Sequence, residues 1–113
     1  EQGVAMRIGV VHGDDLLPRV EALRPHVREM TTGEPLLARL ASANAYLGAR
    51  PIAAALDAGC DVVITGRCVD SAVTLGILLH EFGWAPSDHD RLAQGTLAGH
   101  LVECGAQCTG GLY

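Results

Sequence analysis

Two short apolar runs constrain this chain more than anything else in it: R-I-G-V-V-H, Arg7–His12, and C-D-V-V-I-T, Cys60–Thr65. Each is rich in β-branched residues, each stops at a glycine, and helix-forming sequence follows each. The second is apolar without alternation from Val62 to Ile64, as in a parallel strand covered on both faces. The expected order is strand, helix, helix, strand, helix, helix. That is an α/β fold, a partial Rossmann-like parallel sheet with flanking helices and right-handed crossovers. Two strands are too few for a stable open sheet. The 113 residues therefore read as a single α/β segment, an incomplete domain fragment whose other strands come from a longer parent chain or from a partner.

The helices can be placed from spacing and from glycine and proline. Leu16, Val20, Leu23, Val27 and Met30 fall on one helical stripe, but Pro25 breaks it near Leu23. Thr31–Pro35 reads as loop, and Leu36–Ala43 as helical or irregular. Pro51 suits the first turn of a helix that Gly59 closes, with Ile52, Ala55 and Leu56 as its apolar face. Val69–Phe82 is apolar nearly all round and reads as a core helix. Ser87, with Asp90 three residues on, resembles a capping box for a last helix from Asp88 to about Glu103. Residues Cys104–Gly111 read as loop. Gly95 and Gly99 each cost that helix about 1 kcal/mol relative to alanine, which predicts close approach of another backbone or of a ligand.

Composition excludes several function classes. Hydrophobic residues make up 49% and charged residues 19%, the balance of a globular chain. Eight basic against thirteen acidic residues leave a net charge of −5 and no basic stripe, which argues against a nucleic-acid partner. No apolar run approaches the ~18 residues of a membrane span. The chain lacks a secretory signal and a C-x-x-C motif, so Cys60, Cys68, Cys104 and Cys108 are expected as reduced thiols in the cytoplasm. A start without methionine and an end at G-G-L-Y read as excision from a longer protein. Open strand edges predict a homo-oligomer or contact with the rest of the parent.

The corner T-G-R-C-V-D-S after the second strand is the leading site, since ligands of open α/β folds sit beyond the carboxyl ends of strands. Arg67 offers a fork of donors and the following helix offers amides, both suited to anionic oxygens. Thr65, Gly66 and Ser71 are expected to line a ligand there. Asp70 either contacts that ligand or pairs with Arg67. Gly13, Asp14 and Asp15 end the first strand, on the same rim if the strands are parallel neighbours. Two such carboxylates can hold Mg²⁺, share a proton, or simply cap a helix. His100, Glu103 and Cys104 share a face of the last helix that can offer a general acid or base, a thiol, or a metal-ligand pair in His100 and Cys104. No complete zinc set is visible, so no metal is assigned. Asn44 and Tyr46 lie in a loop able to line the site. His80, at the end of a core helix, reads as structural. The expected catalytic set is Asp14, Asp15, Arg67, Asp70, His100 and Glu103, with Gly13, Asn44, Thr65, Gly66 and Ser71 as ligand contacts. No cofactor can be named.

Four strings taken together carry a resemblance: V-H-G-D-D-L-L-P, S-A-N-A-Y-L-G-A-R-P-I, D-V-V-I-T-G-R-C-V-D-S, and the run from H-E-F-G-W-A through D-R-L-A-Q-G-T-L-A-G-H-L-V-E-C-G-A-Q-C-T-G-G. From about Arg7 to Tyr113 the chain resembles the acyclic terpene utilisation protein family (AtuA-like). The resemblance implies an internal segment of a larger N-terminal domain. It also implies a bacterial role in degrading branched acyclic terpenoids such as citronellol and geraniol, which proceeds through acyl-CoA thioesters. A small acidic or CoA-linked metabolite is then the expected partner, and the full-length protein is expected to be an enzyme of unassigned reaction. The motif positions are Gly13, Asp14, Asp15, Asn44, Tyr46, Gly48, Thr65, Gly66, Arg67, Asp70, His100, Glu103, Cys104 and Gln107. The alternative is a non-catalytic assembly domain of a multi-subunit complex, with Gly95 and Gly99 at its interface.

Overall fold

The two apolar runs pair with each other. In the computed structural model, which describes residues 3–111, β1 (Ile8–Val11) runs parallel to β2 (Val62–Thr65), with Ile8 opposite Val62 and Val11 opposite Thr65. Between them lie a 3-10 turn (Leu17–Arg19), the single helical turn α1 (Val20–Leu23) and α2 (Arg50–Asp57). After β2 come α3 (Ala72–Phe82), α4 (His89–Cys104) and a final 3-10 turn (Gly105–Thr109). The fold is a mixed α/β arrangement with a two-stranded parallel sheet.

The layers stack in sequence: α2 on the sheet, α3 on α2, α4 on α3. Val11, Ala49, Ile52 and Ala72 form the buried centre, with Leu56, Val63, Leu75 and Leu79 packed around them. Glycines let the layers close. A Cβ on Gly76 would stand 2.7 Å from Ile52 Cβ, and one on Gly99 would stand 2.8 Å from the Ser71 carbonyl oxygen. A Cβ on Gly95 would meet Trp84 at 2.8 Å. Gly95 and Gly99 are thus buried against α3 and its flanks within this chain, which takes them away from an interface role. His80 Nδ1 and Asp57 Oδ1, 2.6 Å apart, tie the end of α3 to the end of α2.

Several expectations are not met. The sheet is covered on one face only: Ile8, Val10 and Ile64 are 60%, 63% and 54% exposed. All helical cover reaches the sheet through α2, and no described element crosses to the other side. The radius of gyration is accordingly 17.5 Å, against about 13 Å for a closed domain of this length. The stripe from Leu16 to Met30 yields only Val20–Leu23 as α-helix, with Val20 alone buried. Pro25 cannot donate and clashes one turn back, and so short a helix without a packed face is marginal. Arg24 instead holds the following loop, its guanidinium donating to the carbonyls of Leu36, Leu37 and Ala38.

Helix α3 starts three residues later than expected, because Val69–Ser71 form a turn closed by the Ala72 amide on the Val69 carbonyl. Val73 and Ile77 remain about half exposed, so α3 is only partly a core helix. The capping box does not form. Asp88 is the N-cap without a side-chain bond to the helix amides, and it pairs with Arg91 at 3.2 Å. Cys104 closes α4, and Gly105–Thr109 coil into a 3-10 turn instead of loop.

Candidate functional site

Parallel pairing brings both strand ends to one rim. The Gly66 amide donates to the Val11 carbonyl at 2.8 Å, which sets the two exits side by side. Gly13, at φ +112°, turns the chain in a way a side-chain-bearing residue rarely adopts. Asp14 then reaches across the gap. Its Oδ2 accepts from the Arg67 amide at 2.9 Å and from Asn44 Nδ2 at 3.1 Å. Gly66 is required here for space: a Cβ would lie 2.5 Å from Asp14 Cγ.

The long excursion between β1 and α2 returns to the same place. Ala45 donates to the Asp14 carbonyl at 2.8 Å, and Leu16 to the Ala43 carbonyl at 2.7 Å. Leu47 donates to the Arg67 carbonyl and accepts from the Val69 amide, a parallel bridge that continues past the strands. Three segments, Gly13–Asp15, Asn44–Leu47 and Gly66–Val69, are therefore interlocked at the rim.

This interlocking changes what the corner offers a ligand. The amides of Gly66, Arg67 and Val69 are all engaged, by Val11, Asp14 and Leu47 respectively. Asp14 is itself the anion that sits in the corner. The Arg67 amide, then Asn44 and the Arg67 charge, hold its carboxyl below the usual aspartate range, so it is a poor proton acceptor near neutral pH. Asp15 works separately, its Oδ1 accepting from the Leu17 amide at 3.0 Å as a local cap. Thr65 Oγ1 faces Cys68 Sγ at 3.8 Å. Ser71 is 4% exposed, beneath Gly99.

The Arg67 side chain remains available. Its guanidinium lies 5.8 Å from the Tyr46 ring centroid, within cation–π range. Among the described residues it forms no salt bridge, and the pairing with Asp70 expected from sequence is not made. A cavity of about 290 Å³ opens beside it, lined by Gly66, Cys68, Val69, Asp70, Val73 and Glu103. Val73 also lines a second, apolar cavity of about 210 Å³ formed with Ile52, Leu56, Val63, Thr65 and Ile77.

A second cluster, two of whose members (Asp70 and Glu103) line the polar cavity, stands where α4 ends beside the turn that precedes α3. Helical spacing puts His100 and Cys104 on one face, with Nδ1 and Sγ 3.7 Å apart. Asp70 Oδ2 lies 3.6 Å from that sulfur and 3.7 Å from His100 Nδ1. The Cys104 thiol donates to Glu103 Oε2 at 2.9 Å. Glu103, then partial burial and Asp70, push this thiol up to about 12, so it is not a ready nucleophile. Gly105, at φ +52°, folds the chain back and sets Cys108 Sγ 3.5 Å from the His100 carbonyl oxygen. All four cysteines are free thiols. Sequence reading grouped His100, Glu103 and Cys104 and weighed Cys108 only as a lone thiol, without placing it beside them. The repeat H-x-x-x-C-x-x-x-C would have found it had the helical spacing been carried past Gly105.

The structure thus brings Gly13, Asp14, Asn44, Gly66 and Arg67 together at the rim, and Asp70, His100, Glu103 and Cys104 together in a second cluster. It separates Asp15 from Asp14 in role. No helix among the described residues is long and apolar enough to cross a membrane. Compared with known proteins, the chain matches the profile described as "Acyclic terpene utilisation family protein AtuA" over residues 1–113. No curated protein and no solved structure matches it.

Proposed function

The chain belongs to the acyclic terpene utilisation family, and on that premise we propose that it contributes to acyclic terpene utilisation by holding an anionic, carboxylate- or CoA-linked metabolite at the strand ends. One observation carries the reading: a polar cavity beside an arginine that forms no salt bridge among the described residues shares Val73 with an apolar cavity. Each lies below the ~300–1,000 Å³ of common ligand sites, and together they fall within that range. An acid or thioester with a branched hydrocarbon chain has the matching polarity. Its anionic oxygens meet Arg67, with Tyr46 steadying the guanidinium, while its chain follows Val73 toward Ile77 and Leu56.

In this reading Asp14 and Asn44 are positioning residues that fix the backbone carrying Arg67. Glu103, which lines the polar cavity, is the acid–base candidate nearest a bound head group. The test is calorimetric titration with a branched acyclic terpenoid acid, its CoA thioester and free CoA. Arg67→Ala should weaken binding about 10–100-fold, the worth of a charge-assisted hydrogen bond, with its thermal midpoint unchanged. No binding of any of the three by the parent protein, or equal binding by R67A, would reject the site. A second reading, a non-catalytic assembly domain, is favoured by the bare sheet face of Ile8, Val10 and Ile64. In that case Arg67→Ala alters the assembly state on a sizing column, not ligand affinity.

A further inference from the structure

The cluster at the end of α4 has a use that the metabolite reading leaves open. Three donor atoms of different chemistry, Cys104 Sγ, His100 Nδ1 and Asp70 Oδ2, form a nearly equilateral triangle with sides of 3.6, 3.7 and 3.7 Å. Ligands bound tetrahedrally at ~2.0–2.3 Å from one ion stand about 3.3–3.8 Å apart, so the triangle has the dimensions of one face of such a site. A second sulfur stands near two of these donors. The ligating atoms of His100, Cys104 and Cys108 all lie within 4.8 Å of one another.

We propose that His100, Cys104, Cys108 and Asp70 form a site for a thiophilic divalent transition metal, zinc in the first instance. Two features of the chain produce it. The helical spacing of His100 and Cys104 aligns two ligands on α4, and the glycine turn at 105 returns the second thiol to that face. Asp70 arrives from the turn before α3, so the ion would clamp α4 to the segment that carries Arg67. The donors favour this metal class: one imidazole and two sulfurs suit zinc, whereas magnesium and calcium prefer all-oxygen sets. Glu103 and Asp70 make the surroundings negative, as a dication requires. Asp70, Glu103 and Cys104 also fall within 4.8 Å of one another, so an oxygen-rich alternative exists, and the test must separate the two. Coordination exchanges the two thiol protons for the ion, releasing about two protons per metal bound.

Cobalt(II) is the probe, added to the reduced, chelator-treated protein. The expected result is a one-to-one complex with a thiolate-to-cobalt charge-transfer band and the intense visible bands of tetrahedral geometry. Stoichiometric zinc should then bleach both. Cys104→Ser and Cys108→Ser should each weaken binding by more than the ~10–100-fold that loss of an outer hydrogen bond costs, while Cys60→Ser leaves the titration unchanged. Circular dichroism of the metal-free variants checks that each is folded. Three results would overturn the proposal: no charge-transfer band in the parent protein, binding by C104S and C108S as tight as the parent's, or binding lost in Glu103→Gln but kept in C108S. The last would place a hard cation on the carboxylates. None of these readouts depends on the metabolite, so failure here leaves the Arg67 reading standing, and the reverse also holds.

Discussion

Gly99→Ala tests the seating of α4, on which the geometry of the second cluster depends. The new Cβ would stand 2.8 Å from the Ser71 carbonyl oxygen and 3.1 Å from Ser71 Cα. Neither atom yields easily, because that carbonyl accepts from the Leu75 amide at 2.9 Å in the first turn of α3. Relief requires α4 to back away by several tenths of an ångström. Overpacking of this kind costs about 1–3 kcal/mol, and replacing a helical glycine by alanine returns about 1 kcal/mol. With both contacts on rigid backbone the upper part of that range applies. The net loss is then about 1–2 kcal/mol, a fall in thermal midpoint on the order of 5–10 °C. Gly48→Ala is the matched control. An added Cβ there meets nothing within 4 Å and its φ is not positive, so alanine should stabilise by about 0.4–1 kcal/mol through the unfolded chain. The assay is thermal unfolding of both variants beside the parent. If Gly99→Ala melts as high as Gly48→Ala, α4 does not rest on Ser71, and the assembly of Asp70 with His100 and Cys104 has no support.

Two further outcomes follow from the same coordinates. Ile52 is 3% exposed at the centre of the core, so Ile52→Ala should lose about 2–5 kcal/mol in urea unfolding; a loss below about 1 kcal/mol would mean α2 does not seat on the sheet. Glu29 accepts from the amides of Thr31 and Thr32, and Thr32 chiefly holds its carboxyl down at about 2 instead of the ordinary 4.5. A depressed carboxyl contributes stability that is full above its unfolded value and is lost as pH falls toward the folded one. A carbon-detected titration of the Glu29 side chain should thus show its midpoint near 2, and a midpoint near 4.5 would refute the loop geometry of residues 29–34.

Local chemistry made much of this legible. Glycine and proline act on the residues beside them, so Pro51 and Gly59 mark α2, Gly83 ends α3, and Gly13 and Gly66 end the strands wherever the chain folds. The stripe from Leu16 misled because periodicity counts apolar positions without asking what they meet: beyond Val20, Leu23 and Val27 are only half-buried and Met30 is exposed.

From sequence alone one could read two parallel strands, the helices between and after them, and a polar rim at their carboxyl ends, because each depends on residues near in the chain. Only tertiary structure decided which sheet face stays bare and that Asp14, 53 residues from Arg67, fills the corner where the sequence led one to expect a ligand. It also decided that Cys108 returns to His100 and Cys104. Those outcomes rest on distances between segments far apart in sequence, and a distance of that kind is fixed by packing, not by pattern.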